Sequence, residues 1–238
     1  MKYSKLMLIM VFAIFICTVS ATCAADANET TIATQEDNQM ELTLTEDEIQ
    51  TNENDNMLTQ TEDAEILTSG EGSYSDLRND INSGGNLTKS HYRYNAGDGD
   101  TIEINTPGVI NGNGAVIDMA ESNIRTFYVR ASGVTIKNLT IINANHNGNG
   151  GAIYFDTTGT VSNCNFINNK ATGGYVGGGA IRMLSGTVAN CNFTDNKATG
   201  EGSYGGAIRM DSGSVSNCNF TGNTASHNGG AVYFSGTG

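Results

Sequence analysis

From about residue 125 onward the apolar positions alternate in short runs that never reach helical length. Ile153 and Phe155, then Val161, then Cys164 and Phe166 return as Ile181 and Met183, Val188, Cys191 and Phe193. They return again as Ile208 and Met210, Val215, Cys218 and Phe220. A period of two places each pair on one face of a strand. Val161 and Cys164 are three residues apart, so the chain must bend near Asn163, a residue type that tolerates the left-handed conformation such a bend needs. The blocks open on Gly150-Gly-Ala-Ile153-Tyr-Phe155, Gly178-Gly-Ala-Ile181-Arg-Met183, Gly205-Gly-Ala-Ile208-Arg-Met210 and Gly229-Gly-Ala-Val232-Tyr-Phe234. The Gly-Gly pairs are spaced 28, 27 and 24 residues apart and the cysteines 27 and 27. A fixed period of this size marks a stacked array. Leucine-rich repeats share the length but need a leucine ladder that is missing here. Three short strands per turn, separated by bends and one longer loop, predict an all-β parallel β-helix of about five coils.

The pattern continues upstream in weaker form. Phe127-Tyr128-Val129 aligns with Ile153-Tyr154-Phe155, and Ile136, Leu139 and Ile141 align with Val161, Cys164 and Phe166, so Leu139 heads the cysteine column. An earlier coil is expected to use Ile102, Ile104, Val109, Ile110, Val116 and Ile117. Ahead of it, Ser75-Asp-Leu77-Arg-Asn-Asp-Ile81 followed by Gly84-Gly85 predicts a short N-terminal capping helix, with Ser75 as N-cap and Leu77 and Ile81 on one face. Such a helix would cover the open end of the stack, where strand edges are otherwise unpaired. The sequence stops at Gly238, inside a coil and just after its first strand, so self-association or fraying is expected at that uncapped edge.

Charge divides the chain further. The 238 residues carry 12 basic and 25 acidic side chains, a formal net charge of −13. Residues 25–70 hold 13 of the acids and no Lys or Arg, so they account for the whole imbalance. Like charge with little apolar surface predicts a disordered acidic leader over 25–70, a solvated spacer or a cation-binding segment. The balance argues against nucleic acid, whose phosphates require Lys and Arg. Lys2 and Lys5, the 12-residue apolar run Leu6–Cys17 and the small residues before Ala25 predict a signal peptide over 1–24. The run is short for a membrane span, and Ser20-Ala21-Thr22 fits a lipobox around Cys23 poorly. The expected domains are therefore 1–24, 25–70 and a β-helix over 71–238. The expected product is exported, and touches a membrane only through the cleaved signal.

Gly-Gly-Ala-Ile followed by Phe-x-x-Asn resembles the repeat of the chlamydial polymorphic membrane proteins. Phe166-Ile-Asn-Asn169, Phe193-Thr-Asp-Asn196 and Phe220-Thr-Gly-Asn223 all carry it. The Asn-Cys-Asn-Phe core with Asn-Lys-Ala-Thr, after Val109-Ile-Asn-Gly-Asn-Gly-Ala-Val-Ile-Asp118, is similar to adhesin-like surface proteins of methanogenic archaea. The resemblance covers roughly 72–238. It implies a right-handed parallel β-helix displayed on the cell surface that binds glycans or proteins of neighbouring cells.

Several residue groups were weighed as chemistry. Three in-register cysteines make a line, which suits neither a tetrahedral zinc site nor the Cβ directions of a disulfide. A buried ladder of thiols acting as small hydrophobes is expected. Asn163, Asn190 and Asn217, flanked by Asn165, Asn192 and Asn219, invite sugar binding, but amides bonding to one another along the stack are favoured. Sequons occur at Asn28, Asn86, Asn138, Asn192 and Asn219. A polysaccharide-active enzyme would need clustered carboxylates. Asp156, Asp195 and Asp211 were placed at non-equivalent positions, Asp98 and Asp100 lack a partner motif, and His91, His146 and His227 stand alone. No catalytic residue, metal or cofactor is expected. The binding candidate is an outward column: if Ile153 and Phe155 point inward, Tyr154 points out, as do Tyr128, Arg182, Arg209 and Tyr233. The competing views are a plain solvated face, a passive stalk, or contact through the loops that carry Tyr175 and Tyr204.

Overall fold

The computed structural model describes residues 70–236. The expected signal peptide and all of the expected leader except Gly70 lie outside the described residues. The chain winds into a parallel β-solenoid of about six turns, in which each strand pairs with the equivalent strands of the turns before and after it. The first turn opens on His91–Arg93, whose Tyr92 is buried beside Ile117 of the next turn.

Three sheets result, of seven, nine and four strands. The first runs from Glu71–Ser73 through Thr140–Ile142, Asn165–Ile167 and Asn192–Thr194 to Asn219–Thr221. The second carries the Gly-Gly-Ala-Ile blocks as Ile153–Ser162 and Ile181–Ala189, with a register shift after Phe155. The third is a ribbon of two-residue strands, Asn145–His146, Lys170–Ala171, Lys197–Ala198 and Thr224–Ala225.

The corners explain the repeat residues. Asn163, Asn190 and Asn217 have φ of 53°, 54° and 51°, so each turns the chain between Val and Cys as expected. A second left-handed corner falls at Asn168, Asp195 and Gly222. The next residue, the Asn of Phe-x-x-Asn, points inward. Asn196 accepts from the Asn169 backbone N–H at 3.0 Å and donates Nδ2 to the Phe166 carbonyl at 2.9 Å, and Asn169 and Asn223 repeat the pattern. These amides satisfy backbone groups that the corner removes from the ladders. Separately, Asn219 donates to Asn192 and Asn192 to Asn165 at 2.9 and 2.8 Å, the axial amide ladder expected of the residues beside the cysteines. The Gly-Gly-Ala signature is steric. Gly178 needs φ of +69°, and a Cβ on Gly179 would lie 2.1 Å from the Gly206 carbonyl oxygen, so the coils approach too closely for any side chain there.

Inside, aligned side chains stack. Phe166, Phe193 and Phe220 lie nearly parallel with centroids 5.0 and 5.1 Å apart. Cys164 and Cys191 are buried, Cys218 is half-buried, and all three are free thiols in one inward column. The hydrogen bond with Cys164, together with burial, pushes the Cys191 thiol up, and burial raises Cys218. Because Cys164 and Cys191 are buried beyond reach of solvent, native protein treated with a thiol reagent at pH 8 should label slowly at Cys218 and not at Cys164 or Cys191 until denaturant is added. Fast labelling of all three in the native state would contradict the ladder. In the last described turn Val215, Cys218, Phe220, Val232 and Phe234 are only partly buried, whereas Val188, Cys191, Phe193, Ile208 and Met210 one turn earlier are buried.

The N-terminal cap is a helix, Tyr74–Asn82, that starts earlier than expected. Its N-cap is Ser73, not Ser75, because Asp76 at the third helical position completes a capping box with Ser73. The earlier start brings Tyr74 into the core, edge-on to Tyr94 at 5.1 Å, while Leu77 is fully buried. Asp80 accepts from the Tyr92 hydroxyl and from the Thr88 backbone, which ties the helix to the first turn. Val109 departs from the expected core and is 49% exposed. It pairs with Thr135 on the outer face, and Ile110 fills the inward position instead.

Candidate functional site

The register places Glu103, Tyr128, Tyr154, Arg182, Arg209 and Tyr233 in one column across six neighbouring strands. Their neighbours on either side, from Ile102 and Ile104 through Ile208 and Met210, are buried, so strand alternation turns the column outward. The structure thus aligns all five expected residues, but it divides them into two clusters with different exposure.

The first cluster is a tyrosine stack. Tyr128 and Tyr154 are 5.2 Å apart and 11° from parallel. Their hydroxyls donate to the two oxygens of Asp156 at 3.0 and 3.1 Å. The Arg130 guanidinium lies 4.7 Å above the Tyr128 ring and pairs with Glu103 at 3.7 Å. That ion pair is exposed on both sides, so solvent screens it and it adds little stability. Arg125 lies 5.5 and 5.2 Å from the two rings and is itself buried. Burial lowers its pKa to about 10 against the raising effect of the tyrosines. Its guanidinium donates to the carbonyls of Asn149 and Gly150, which fastens the loop before the Gly-Gly block to the stack. Nearby, burial and the Arg125 charge hold His146 down at about 4, so it is neutral at physiological pH.

The second cluster joins the column to the variable loops. Arg209 donates to the Tyr175 carbonyl at 3.2 Å and sits 5.3 Å over the Tyr204 ring, which packs on Tyr233 at 4.6 Å. The column and the Tyr175 and Tyr204 loops, which the sequence presents as alternatives, form one surface, with Tyr175 71% exposed at its edge.

Arg182, between the clusters, is not an outward contact. It is 7% exposed and holds Asp211 through two bonds of 2.8 and 2.9 Å. Burial alone would raise the Asp211 carboxyl, but hydrogen bonds from Arg182 and Ser235 and the nearby Arg charges outweigh it and keep the group below its usual range. The ion pair draws the guanidinium along the sheet instead of into solvent.

Contrary to the expectation of non-equivalent positions, Asp156 and Asp211 occupy the same position, one residue past Phe155 and Met210 in the paired blocks. Counting from each Gly-Gly would have found them. Arg125, Arg130 and Glu103 lie in the upstream coils, where the repeat has decayed, and carry no such signal. Asp195 sits at a left-handed corner away from the column. Asp98 accepts from its own loop at Asn95, and the Asp100 carbonyl accepts from Arg78. His227 packs against Tyr204 at 5.0 Å, and His91 lies in the first strand of the first turn. Among the described residues no group of three or more His, Cys, Asp or Glu is placed to hold a metal ion, and no helix is long and apolar enough to cross a membrane.

No curated protein and no solved structure matches the chain significantly. Residues 217–235, from the left-handed corner at Asn217 through Phe220 and Asn223 to the strand Val232–Phe234, match the Chlamydia polymorphic membrane protein repeat, so the chain is similar to that repeat over part of one turn of its solenoid.

Proposed function

We propose that the protein is an exported, surface-displayed β-helix that binds glycans or proteins of neighbouring cells and does not catalyse. The observation that carries this reading is the Tyr128–Tyr154 stack, an ordered aromatic and hydroxyl edge fixed by Asp156, Arg125 and Arg130 on an open sheet face. Tyrosine offers large amphipathic contact area at low entropic cost, and Tyr and Arg dominate the energetics of protein contacts. Arg209, Tyr233 and the Tyr175 loop extend the same surface. The similarity to the polymorphic membrane protein repeat and the signal peptide expected over 1–24 both favour display outside the cell.

The test compares the parent with Tyr128→Ser/Tyr154→Ser on a glycan panel and on whole cells. Arg182 is left intact because its removal would strand Asp211 and confuse folding with binding. Binding should fall at least tenfold in the variant while the circular dichroism stays strand-dominated. Equal adhesion by both proteins would remove the column from consideration. Release of new reducing ends from any polysaccharide would show that the protein is an enzyme.

A further inference from the structure

The two-residue strands of the third sheet place Asn145, Lys170, Lys197 and Thr224 in register, with Ala171 and Ala198 facing inward beside them. Lys170 and Lys197 are therefore direct neighbours on adjacent coils, an arrangement that costs stability when nothing neutralises it. Among the described residues neither lysine forms an ion pair. Asp195, two positions before Lys197, lies instead against Gly222 of the following turn, where a Cβ would come within 2.1 Å of its carboxylate oxygen. Together with Glu121, Asn145, Asn168 and Asn169, the lysines line a cavity of about 180 Å³.

Asn169 spends its amide on the corner backbone, whereas the remaining walls offer acceptors without donors. The Asn145 Oδ1 is buried and has no hydrogen-bond partner. Asn168 uses its amide N–H on Asn143 at 2.8 Å, which leaves its carbonyl oxygen open. The Glu121 carboxylate adds a third acceptor group, too far from the lysines for an ion pair. A suitable ligand must carry an anionic group for two ammonium ions and several hydroxyl donors for three separate acceptors. Sulfate lacks hydroxyls, hydrogen phosphate has too few to reach three separate acceptors, and acidic peptides lack several hydroxyls around one carboxylate. A uronic acid residue has both on a single ring.

We propose that Lys170, Lys197, Asn145, Asn168 and Glu121 form a binding site for an acidic sugar, a uronate within an oligosaccharide. The site shares the glycan class of the proposed function but none of the residues of the tyrosine column, so the two fail independently.

Calorimetric titration of the full chain with trigalacturonate tests the site. The parent should bind it, and Lys170→Gln/Lys197→Gln should weaken binding at least tenfold with unchanged circular dichroism. Asn145→Leu, which changes no charge, should weaken it as well, and Tyr128→Ser/Tyr154→Ser should leave it intact. The proposal is overturned if trigalacturonate does not bind, or if the lysine variant or Asn145→Leu binds as tightly as the parent. It is equally overturned if maltotriose, polyglutamate or sulfate binds as well as the uronate.

Discussion

Phe193→Ala should lower stability by about 3–5 kcal/mol, the usual loss for truncating a fully buried phenylalanine. Phe193 is the middle ring of the Phe166–Phe193–Phe220 stack, so its removal opens a void that both neighbours border. In a solenoid each turn is stabilised mainly by the turns beside it, and a gap in the fifth turn weakens both of its contacts. The melting temperature should drop by roughly 6–20 °C, given about 2–4 °C per kcal/mol for a body of this size. Amide exchange should rise most over 192–234, because Phe220 is already only partly buried and would lose its inner partner. A melting temperature within a degree or two of the parent would mean that the inward phenylalanine column does not carry the core.

The repeat made this core legible because one rule governs every coil. Alternation fixed which of Ile153, Tyr154 and Phe155 face inward, and the Val161-to-Cys164 spacing located the left-handed corner at Asn163. Where repetition weakens, the physics becomes local. Val109 and Ile110 are adjacent apolar residues, and only pairing with Thr135 and Ile136 decides which of them is inside. Ser73 and Ser75 are both plausible N-caps in the chain, and the choice turns on the capping box that Asp76 makes with one of them.

The outward column was legible as a column but not as a surface. Alternation says that Arg182 leaves the core, yet it says nothing about the Asp211 carboxylate waiting one coil away, which turns a presumed contact residue into a structural one. Nor does it show that Arg209 lies beneath the Tyr175 loop. Such contacts link residues about a repeat apart through side-chain reach, and local periodicity carries no information on reach. The lysine pair is a different case: Asn-Lys-Ala-Thr stands openly in two repeats, but the missing counter-charge and the orphaned Asn145 oxygen are properties of the assembled cavity.

Asn196→Leu should damage stability about as much as the loss of the phenylalanine, although asparagine and leucine share the same heavy-atom count and branching. The Asn196 amide is fully buried at the corner between the first and third sheets. Its oxygen accepts from the Asn169 backbone N–H, and its nitrogen donates to the Phe166 carbonyl. Leucine would leave both buried backbone groups without partners, at about 1–3 kcal/mol each, and would also cut the amide chain from Asn169 to Asn223. A total of roughly 2–6 kcal/mol follows. Asn196→Asp sharpens the test because its effect should depend on pH. An aspartate at this position would be buried, so its folded pKa would rise above the unfolded value. The protonated acid can donate to Phe166, whereas the carboxylate cannot. The Asp variant should therefore be nearer the parent in stability at pH 4 and lose ground as pH rises through the raised pKa. Thermal melts of parent, Leu and Asp variants at pH 4 and pH 8 would measure this. If the Asp variant were equally stable at both values relative to the parent, the inward amide would not be holding the corner together.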